Sequence, residues 1–459
     1  MPYLFNKYYP WRNLVFVLGE GGLILLVLNI VAIGWEGLPA HQEEIGYLIL
    51  RTLVVTLVFQ LCFYYFDLYD LKVIPIFYDH MFQVIQTFGL GCILLAGIYL
   101  LFPFLLISTR IIWAGLCGIG LAVFCWRFVY FKIIERRMFV QNIAIVGTGS
   151  YASEIIDEIK NKKDAGFKIK ALVGAANSTL DIGKAPVYPE IKDLRTLCLL
   201  KRIEKIVVAL DEKRGVPLQD LIEYKFFGVE IVDGAQCYEA LTGKLPVGRM
   251  HPSWMVFSQG FYVSRMKRML KRSLDIVMAS LMLIVSFPIF LLTALIIRLE
   301  SSGEIFYRQE RVGEKGKTFT LIKFRSMKKN AEDGGAVWAQ ANDDRVTRFG
   351  RFIRKLRIDE LPQLVNVLKG EMSFVGPRPE RQVFVVDLER KIPFYANRHL
   401  VKPGITGWAQ INYPYGASVE DAMRKLEYDL YYIKNLSLGL DLLCIFHTVK
   451  VVLFRKGSR

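Results

Sequence analysis

Four long apolar runs within the first 131 residues place the strongest limit on what this chain can fold into. The runs cover roughly residues 13–33, 46–66, 82–102 and 111–131. As helices, each is long enough to cross a hydrocarbon layer of about 30 Å at about 1.5 Å per residue. Hydrophobic residues also make up 53% of the chain, more than is usual for a soluble protein of this size. We therefore expect a membrane protein with an N-terminal four-helix transmembrane bundle over residues 1–137.

Charged residues around these runs predict how the chain is oriented. Lys7 and Arg12 precede the first run and Lys132 follows the fourth, whereas the loop between the first two runs contains glutamates but no lysine or arginine. Because lysine and arginine are retained on the cytoplasmic side, the N-terminus and everything after the fourth run should be cytoplasmic. Glu20 and Arg51 lie within runs, where they are either a functional pair or, as we expect, solvated or paired across the bundle.

The overall charge narrows the class of binding partner. The chain carries 59 lysine and arginine residues against 43 acidic residues, a formal net charge of +16. This excess favours phospholipid headgroups or phosphorylated substrates, and because the basic residues flank apolar segments we expect no nucleic acid. The seven cysteines form no C-x-x-C pair and the five histidines have no metal-ligand spacing, so the cysteines should serve in packing and no zinc site is expected.

From residue 142 the pattern changes to alternating strands and helices. An apolar strand at 142–146 leads into Gly147-Thr148-Gly149-Ser150-Tyr151-Ala152 and then into a helical stretch. Further strands are predicted at 169–173, 205–210 and 229–232. This alternation predicts an α/β Rossmann-like (CoA-binding-like) domain with a parallel, doubly wound sheet over residues 138–234.

The glycine-rich turn after the first strand is a weak indication of a bound dinucleotide. A glycine turn at a helix start suits a phosphate, but the second strand ends at Val173-Gly174-Ala175-Ala176, without the acidic residue that would bind a ribose. We therefore expect a structural or regulatory module rather than one that holds NAD.

A second membrane-associated region follows residues 235–263, which are predicted to be a linker with aromatic anchors. Basic residues lead into the apolar run 274–299, which has Pro288 near its middle. Proline removes a backbone donor and should break the helix. A re-entrant membrane helix over 270–299 would keep both basic flanks, and the catalytic domain at 264–459, on the cytoplasmic side. A fifth crossing with a proline kink is the rival interpretation.

Two amphipathic segments predict interfacial helices within an α-rich catalytic domain. In residues 345–357, arginines and a lysine interleave with apolar residues, which suits a helix on an anionic membrane surface. The alternative is a solvated face with a buried apolar stripe. In residues 436–454, one helical face of the predicted helix is apolar. That face comprises Leu442, Phe446, Val449 and Leu453.

The sequence Arg357-Ile358-Asp359-Glu360-Leu361-Pro362-Gln363-Leu364 sets two adjacent carboxylates at a predicted helix start. A carboxylate can attack phosphorus and form an acyl phosphate, and Mg²⁺ prefers carboxylates together with phosphate oxygens. Pro362 is tolerated only in a first helical turn, which places Asp359 at or near the N-cap. The alternative is that Asp359 only caps the helix and Glu360 only favours its positive end.

Three cations are candidates for holding a diphosphate. Lys323 and Arg325 end a predicted strand on the same face, at the two-residue period of a strand, although an exposed strand edge would give the same pattern. Arg378 lies between two prolines in Gly376-Pro377-Arg378-Pro379, which fixes its direction and suits a bidentate phosphate contact. The alternative for Arg378 is a rigid loop with an incidental arginine.

Six short blocks occur in order after residue 300. They are found at 306–313, 323–327, 359–364, 376–379, 402–407 and 428–433. Together, over roughly residues 264–457, they resemble the bacterial sugar transferase family, the monotopic phosphoglycosyl transferases. Four spans plus a nucleotide-fold module resemble the larger members, which start exopolysaccharide or O-antigen repeat units. The blocks at 337–340 and 413–418 are similar to the exopolysaccharide-associated branch.

The resemblance implies an enzyme of the bacterial inner membrane that moves a sugar-1-phosphate from a UDP-sugar to undecaprenyl phosphate and releases UMP. It implies that Asp359 is the nucleophile and that a covalent phosphosugar intermediate forms. It also implies that Glu360 and Asp359 bind Mg²⁺ and that Glu360 helps to deprotonate or position the acceptor. It further implies substrate-binding roles for Lys323, Arg325, Arg378 and Asp429. Inner-membrane lipids are implied partners, and a homodimer through the membrane or nucleotide-fold regions is a further expectation.

One departure from the family pattern concerns the membrane helix. Many relatives have Ser-Pro at the re-entrant break, whereas this chain has Phe287-Pro288, with Ser286 one place early.

Two alternatives come from other classes of protein. A membrane-bound NAD-dependent nucleotide-sugar dehydratase needs a Tyr-x-x-x-Lys on a helix; Tyr188 and Lys192 have this spacing, but Pro189 lies between them. A non-catalytic membrane scaffold of polysaccharide assembly would not need the ordered blocks after residue 300.

Overall fold

The structure, a computed structural model, forms two compact units that are described separately, one largely over 8–237 and the other largely over 238–459. The 337–340 block and parts of the 413–418 block lie outside the residues that the structure describes. The described residues are 3–4, 7–8, 11–37, 41–69, 77–135, 140–161, 166–174, 186–200, 202–211, 218–250, 252–300, 302–328, 344–414, 416 and 418–454.

The first unit begins with long apolar helices. After two short strands, β1 (Tyr3–Leu4) and β2 (Lys7–Tyr8), come four helices. These are α1 (Trp11–Glu36), α2 (Gln42–Tyr65), α3 (Phe77–Leu101) and α4 (Thr109–Glu135). All four predicted runs are helical, and α1 packs against both α2 and α4. Each helix is long and apolar enough to cross a membrane, where a helix satisfies its backbone groups internally. The chain is therefore a membrane protein.

An ion pair is buried among these helices. Arg127 Nε and Nη2 of α4 lie 2.6 Å and 2.9 Å from the two carboxylate oxygens of Glu20 in α1. Arg127 Nη1 also donates to Leu68 O at 3.1 Å. Glu20 is thus paired across the helices, as expected, but Arg51 is not its partner and instead donates to Phe104 O at 3.1 Å. Bidentate geometry compensates for the cost of removing both charges from water.

The α/β module confirms the predicted parallel sheet. Its elements are β3 (Gln141–Val146), α5 (Ser150–Asn161), β4 (Phe167–Val173), β5 (Val187–Tyr188), α6 (Arg195–Leu199), β6 (Lys205–Val208), α7 (Leu218–Phe226) and β7 (Glu230–Asp233). The strand order is β5-β4-β3-β6-β7, with every pairing parallel. The apolar strand β3 lies at the centre because both of its faces are buried.

The glycine turn after β3 is occupied by a side chain of the module itself. Asp211, which follows β6, accepts hydrogen bonds from Ser150 N (3.0 Å), Ser150 Oγ (3.1 Å) and Tyr151 N (3.0 Å). A Cβ atom on Gly149 would lie 1.7 Å from Asp211 Oδ2, so the close approach of this carboxylate requires glycine. Asp211 therefore takes the place at the start of α5 where a nucleotide-binding fold holds phosphate.

The dehydratase alternative finds no support in this module. Tyr188 ends strand β5, and Lys192 lies in a short 3₁₀ helix, Ile191–Leu194. The two residues are therefore not displayed on one α-helix, as that chemistry requires.

The second unit is rich in helices, as predicted. Its elements are α8 (Gly234–Thr242), α9 (Pro252–Phe257), α10 (Arg265–Glu300), β8 (Phe306–Val312), β9 (Thr318–Phe324), α11 (Arg348–Lys355), α12 (Gln363–Lys369), β10 (Ser373–Val375), α13 (Gln382–Lys391), β11 (Gly404–Thr406), α14 (Trp408–Asn412), α15 (Val419–Lys434) and α16 (Leu438–Phe454). Strands β8 and β9 form an antiparallel hairpin, and β10 pairs with β11 in parallel.

The segment 235–263 differs from the predicted linker. Leu245, Val247 and Met250 are buried in the core cluster of the second unit. Trp408 Nε1 donates to Gly243 O at 2.7 Å, which fixes this segment against α14. Of the aromatic residues that indicated anchors, Trp254 and Phe261 pack against this core, whereas Tyr262 is exposed.

Helix α10 continues through Pro288, so the predicted break of the helix at this residue was wrong. Proline removes one N–H donor, but the apolar residues on both sides still favour helix, because backbone groups in an apolar setting must pair internally. Ser286 is buried and its Oγ has no hydrogen-bond partner among the described residues, so it does not compensate for the proline.

The two predicted amphipathic segments are helices with apolar residues left exposed. In α11, Gly350 and Ile353 are buried whereas Phe352 is 54% exposed. In α16, the predicted face that includes Leu442, Phe446 and Val449 is exposed, while Asp441 on the same helix is fully buried.

Candidate active site

The two adjacent carboxylates lie in a tight turn just before α12. Ile358–Glu360 form a 3₁₀ helix that follows Arg357, whose φ of 60° is in the left-handed region. Holding a non-glycine residue there costs about 1–3 kcal/mol, so the surrounding packing must enforce the turn. Pro362 then immediately precedes α12. Asp359 and Glu360 are only 8% and 7% exposed. The turn therefore buries two carboxylates side by side.

Glu360 is surrounded by cations. Its Oε1 lies 3.0 Å from Lys323 Nζ, 3.1 Å from Arg378 Nη2 and 3.6 Å from Arg357 Nη1. Burial opposes ionisation of Glu360, but Lys323, Arg378 and Arg357 together lower its pKa well below the usual range. Glu360 is thus held as a carboxylate by three contacts and does more than favour a helix end.

Asp359 has a different environment although it is the adjacent residue. Its Oδ1 is buried and has no hydrogen-bond partner among the described residues, and it makes no side-chain cap. Burial, and then the charge of Glu360, raise the pKa of Asp359 from 3.8 to about 6. The capping alternative therefore has no support. Two neighbouring carboxylates with pKa values displaced in opposite directions are typical of a site with divided chemical roles.

The structure brings Lys323 and Arg378 to this pair, as the sequence predicts for a shared site. Lys323 comes from β9, and Arg378 also donates from Nη1 to Gln410 Oε1 at 2.9 Å. Arg325 is not among the cations at Glu360; its Nη1 donates to Ser302 O at 3.1 Å. Because β9 ends at Phe324, the alternation that would have aligned Arg325 with Lys323 does not continue.

Asp429 lies close to Arg378 but is engaged by another arginine. Its Oδ2 accepts from Arg398 Nη2 at 2.9 Å, and the side chains of both residues are almost fully buried. Arg398 Nη2 also donates to Arg378 O at 3.0 Å. Asp429 is therefore linked to the site through Arg398 and the backbone of Arg378.

An open pocket adjoins the carboxylate pair. Arg357 and Arg378, which contact Glu360, also line this pocket, so it opens beside the pair. The other residues of its lining are Glu380, Arg398, Ala409, Gln410, Tyr413, Pro414, Lys425 and Asp429. With several cations in its wall, the pocket suits an anionic ligand.

Three residues of the site were not identified from the sequence. Arg357 precedes the carboxylates directly and was counted only as part of the basic amphipathic run. Gln410 follows the block at 402–407, a proximity that was available as a signal. Arg398 carries no local sequence signal, because its contacts with Arg378 and Asp429 span 20 and 31 residues.

Family models match both parts of the chain. The bacterial sugar transferase model matches residues 266–455, which include every residue of the site described above. A CoA-binding domain model matches residues 64–224.

Individual relatives agree with this match. A UDP-N-acetylgalactosamine-undecaprenyl-phosphate N-acetylgalactosaminephosphotransferase of Aeromonas hydrophila is 46% identical over 49% of this chain and 52% of its own length. An uncharacterized sugar transferase of Haemophilus influenzae is 30% identical over 78% of this chain and 79% of its own. An undecaprenyl-phosphate galactose phosphotransferase of Salmonella typhimurium is 30% identical over 73% and 75%, respectively.

The fold and site define a membrane protein with a buried carboxylate pair beside a cationic pocket. The chain belongs to the bacterial sugar transferase family, as the ordered sequence blocks predicted. Its match covers about half of the Aeromonas relative and about three quarters or more of the other two.

Proposed function

We propose that this chain transfers a sugar-1-phosphate from a UDP-sugar to undecaprenyl phosphate, releasing UMP, as the first membrane step in assembling a polysaccharide repeat unit. The single observation that carries the proposal is the buried Oδ1 of Asp359, which has no hydrogen-bond partner in the described part of the chain and lies beside a carboxylate held by three cations. The names of the Aeromonas and Salmonella relatives, which act on undecaprenyl phosphate, supply the acceptor and the class of reaction.

The reaction proceeds in two displacements. The ionised Asp359 attacks the phosphorus that bears the sugar, a P–O bond to the leaving phosphate breaks, and UMP departs with that bond's electron pair. The product on the protein is an acyl phosphate that carries the sugar. An oxygen of undecaprenyl phosphate then attacks the same phosphorus, and the bond to Asp359 breaks. This step regenerates the carboxylate and yields the lipid-linked sugar diphosphate.

The surroundings of Asp359 support its role as a nucleophile. No hydrogen bond has to be broken at Oδ1 before attack, because that oxygen has no partner among the described residues. With a pKa of about 6, Asp359 is mostly ionised at pH 7 yet more basic than an exposed aspartate. Lys323 and Arg378 lie where the charge of the diphosphate can be balanced. Arg325, whose guanidinium donates to Ser302 O, would bind a part of the donor that is more distant from the carboxylate pair.

Magnesium is the cofactor that we propose for this site. Mg²⁺ is commonly held by one or two carboxylates together with substrate phosphates. Glu360 and Asp359 supply two carboxylates, and one oxygen of Asp359 has no partner within the described ranges. No cluster of three or more metal-ligating His, Cys, Asp or Glu side chains occurs among the described residues, so the donor's phosphates would complete the ligand set. When bound, the ion would neutralise diphosphate charge. The chain's own cations would orient the donor.

The site lies, in this proposal, on the cytoplasmic face of a bacterial inner membrane, with α10 re-entering the bilayer from that face. One end of α10 is tied to the second unit by Arg272, which donates to Val367 O (2.6 Å) and Leu368 O (2.8 Å). At the other end, Glu300 accepts from Phe349 N at 2.9 Å. Both ends of α10 contact the same folded unit, which supports re-entry over a fifth crossing, because a crossing would leave these contacts on opposite sides of the bilayer.

Release of UMP tests the proposal. The full-length protein in lipid nanodiscs, with Mg²⁺ and undecaprenyl phosphate, would be offered a panel of UDP-sugars that includes UDP-N-acetylgalactosamine, UDP-galactose and UDP-glucose. We expect UMP release with at least one donor and its loss in Asp359→Asn and on chelation of Mg²⁺. A folded wild-type protein that releases no UMP with any donor would instead favour a scaffold.

A further inference from the structure

Arg378 lies in the segment 375–379, in which two residues have no backbone N–H to donate. These two residues are Pro377 and Pro379, which flank Arg378. Gly376 N donates to Thr406 O at 2.8 Å, and further contacts of the segment are made by its carbonyl oxygens. Gly404 N, at the start of β11, donates to Pro377 O at 2.9 Å. Side chains donate to the carbonyl oxygens of Val375, Arg378 and Pro379.

Three cationic side chains from separate elements donate to these carbonyls. Lys271 Nζ in α10 lies 3.0 Å from Val375 O. Arg398 Nη2, in the 3₁₀ helix Tyr395–Leu400, lies 3.0 Å from Arg378 O. Arg311 Nη1 in β8 lies 3.1 Å from Pro379 O. We call Lys271, Arg311 and Arg398 the carbonyl clamp.

Each member of the carbonyl clamp has its own carboxylate. Asp441 lies 3.0 Å from Lys271, Asp429 lies 2.9 Å from Arg398, and Glu380 lies 3.8 Å from Arg311. Because these charges are balanced within the protein, the clamp is better suited to fixing the backbone than to attracting a substrate. The contrast is with Arg378, whose guanidinium reaches Glu360 and Gln410 at the pocket.

We propose that the carbonyl clamp consists of positioning residues that set Arg378 against Glu360 and the donor's diphosphate, with Asp429 holding Arg398 in place. This inference rests on the proposed function. Arg378 Nη2 lies 3.1 Å from Glu360 Oε1. A shift of about 1 Å would break this hydrogen bond and could cost about 10²-fold in rate, since catalytic groups tolerate little misplacement.

A double-mutant cycle between Arg311 and Arg378 tests this inference directly. Arg311 contacts Pro379 O and is not among the residues that line the pocket, so we expect it to influence the donor through the segment and its neighbour Glu380. For kcat/KM with the donor, we expect Arg311→Gln to lose about tenfold and Arg378→Met about 10²-fold, and we expect the double variant to match Arg378→Met alone. If the fold-losses in kcat/KM of the two single variants multiply in the double variant, Arg311 acts independently of Arg378 and the proposed clamp is wrong.

Two further variants separate positioning from folding. Arg311→Lys keeps a cation and a donor and should recover most of the activity lost in Arg311→Gln. If Arg311→Gln does not fold, the same cycle is run with Lys271→Met/Asp441→Asn, which leaves no buried carboxylate without its partner and changes no residue that lines the pocket. Lys391→Met, which removes an exposed cation paired with Asp387, is the matched control and should stay within twofold of the wild type.

The outcome also separates this inference from the proposed function. A wild-type protein that releases no UMP contradicts the function, and the cycle is then measured on the affinity for UDP by calorimetry. Multiplying losses in UDP affinity would again overturn the clamp, and matching losses would support it. A wild-type protein that releases UMP, with multiplying losses in the cycle, contradicts the clamp alone.

Discussion

Two aspartates of this chain lie beside the start of a helix, and their surroundings are opposite. Asp211 in the α/β module is exposed and accepts three hydrogen bonds from Ser150 and Tyr151 at the start of α5. Asp359 in the second unit is buried just before α12, and its Oδ1 has no partner among the described residues. Both positions would favour an anion. The carboxylate of Asp211 is occupied by hydrogen bonds within the protein, whereas Asp359 keeps an oxygen that can react with a substrate.

The comparison teaches how to tell a capping carboxylate from a reactive one. A cap stabilises the fold because its oxygens are satisfied, and such a cap contributes about 0.5–2 kcal/mol. An unsatisfied buried carboxylate lowers stability, and proteins retain such groups at functional sites. The same distinction explains the glycine-rich turn: Gly149 is needed for the close approach of Asp211 rather than of a nucleotide phosphate.

The largest expected difference between the two aspartates is in turnover. Asp359→Asn removes the proposed nucleophile and should reduce UMP release by at least about 10³-fold. Asp211→Asn should remain within about threefold of the wild type, because it removes a cap and not a reacting group. UMP release with undecaprenyl phosphate measures both. Equal losses of UMP release in Asp359→Asn and Asp211→Asn would show that the two aspartates do not differ in function.

The pH dependence of turnover should be the next largest effect. Because burial and Glu360 raise the pKa of Asp359 to about 6, turnover should fall about tenfold per pH unit below that value as the nucleophile is protonated. Lys323 lowers the pKa of Asp359, so Lys323→Met should move the midpoint of the profile to higher pH. Asp211→Asn should leave the midpoint unchanged. A wild-type profile that is flat between pH 5 and pH 8 would contradict the raised pKa.

Asp359→Asn should stabilise the fold at pH 7, whereas loss of the Asp211 carboxylate should destabilise it. The pKa of Asp359 is higher in the folded protein than its ordinary 3.8, so its ionised form destabilises the fold above about pH 6, and this penalty is absent below about pH 4. Asp359→Asn should therefore raise the melting temperature at pH 7, by the equivalent of about 1–3 kcal/mol, and lose this advantage at pH 4. A lower melting temperature at pH 7 would show that Asp359 is satisfied after all.

The smallest expected effect is local to α5. Asp211→Ala removes the acceptor for Ser150 N and Tyr151 N and should destabilise the start of the helix by about 1 kcal/mol. Hydrogen–deuterium exchange should therefore increase about fivefold in peptides covering residues 150–161. Peptides around Asp359 serve as the internal control. Unchanged exchange in α5 would show that the cap has no measurable role.

Local patterns in the sequence were sufficient to predict much of the fold. The apolar runs, the parallel sheet and the helices α11 and α16 follow from periodicity and composition within short windows. The carboxylate pair, Lys323 and Arg378 were found because each lies in a block with an unusual residue pattern. Membership in the bacterial sugar transferase family is confirmed on the same blocks.

The remaining features depend on contacts between distant residues. Glu20 pairs with Arg127 across 107 residues, and Asp211 reaches Ser150 across 61 residues, so no local window contains both partners. The segment predicted as a linker packs into a core formed mainly by later elements. At Pro288, the local rule for proline was outweighed by the apolar residues around it, which keep α10 helical.

Direct detection of the covalent intermediate tests the central claim about Asp359. The protein would be mixed with a UDP-sugar that supports UMP release, without undecaprenyl phosphate, and then digested and examined by mass spectrometry. A phosphosugar adduct should appear on Asp359 in the wild type and in Asp211→Asn, and be absent from Asp359→Asn. An adduct on another residue, or full turnover by Asp359→Asn, would contradict the assignment of Asp359 as the nucleophile.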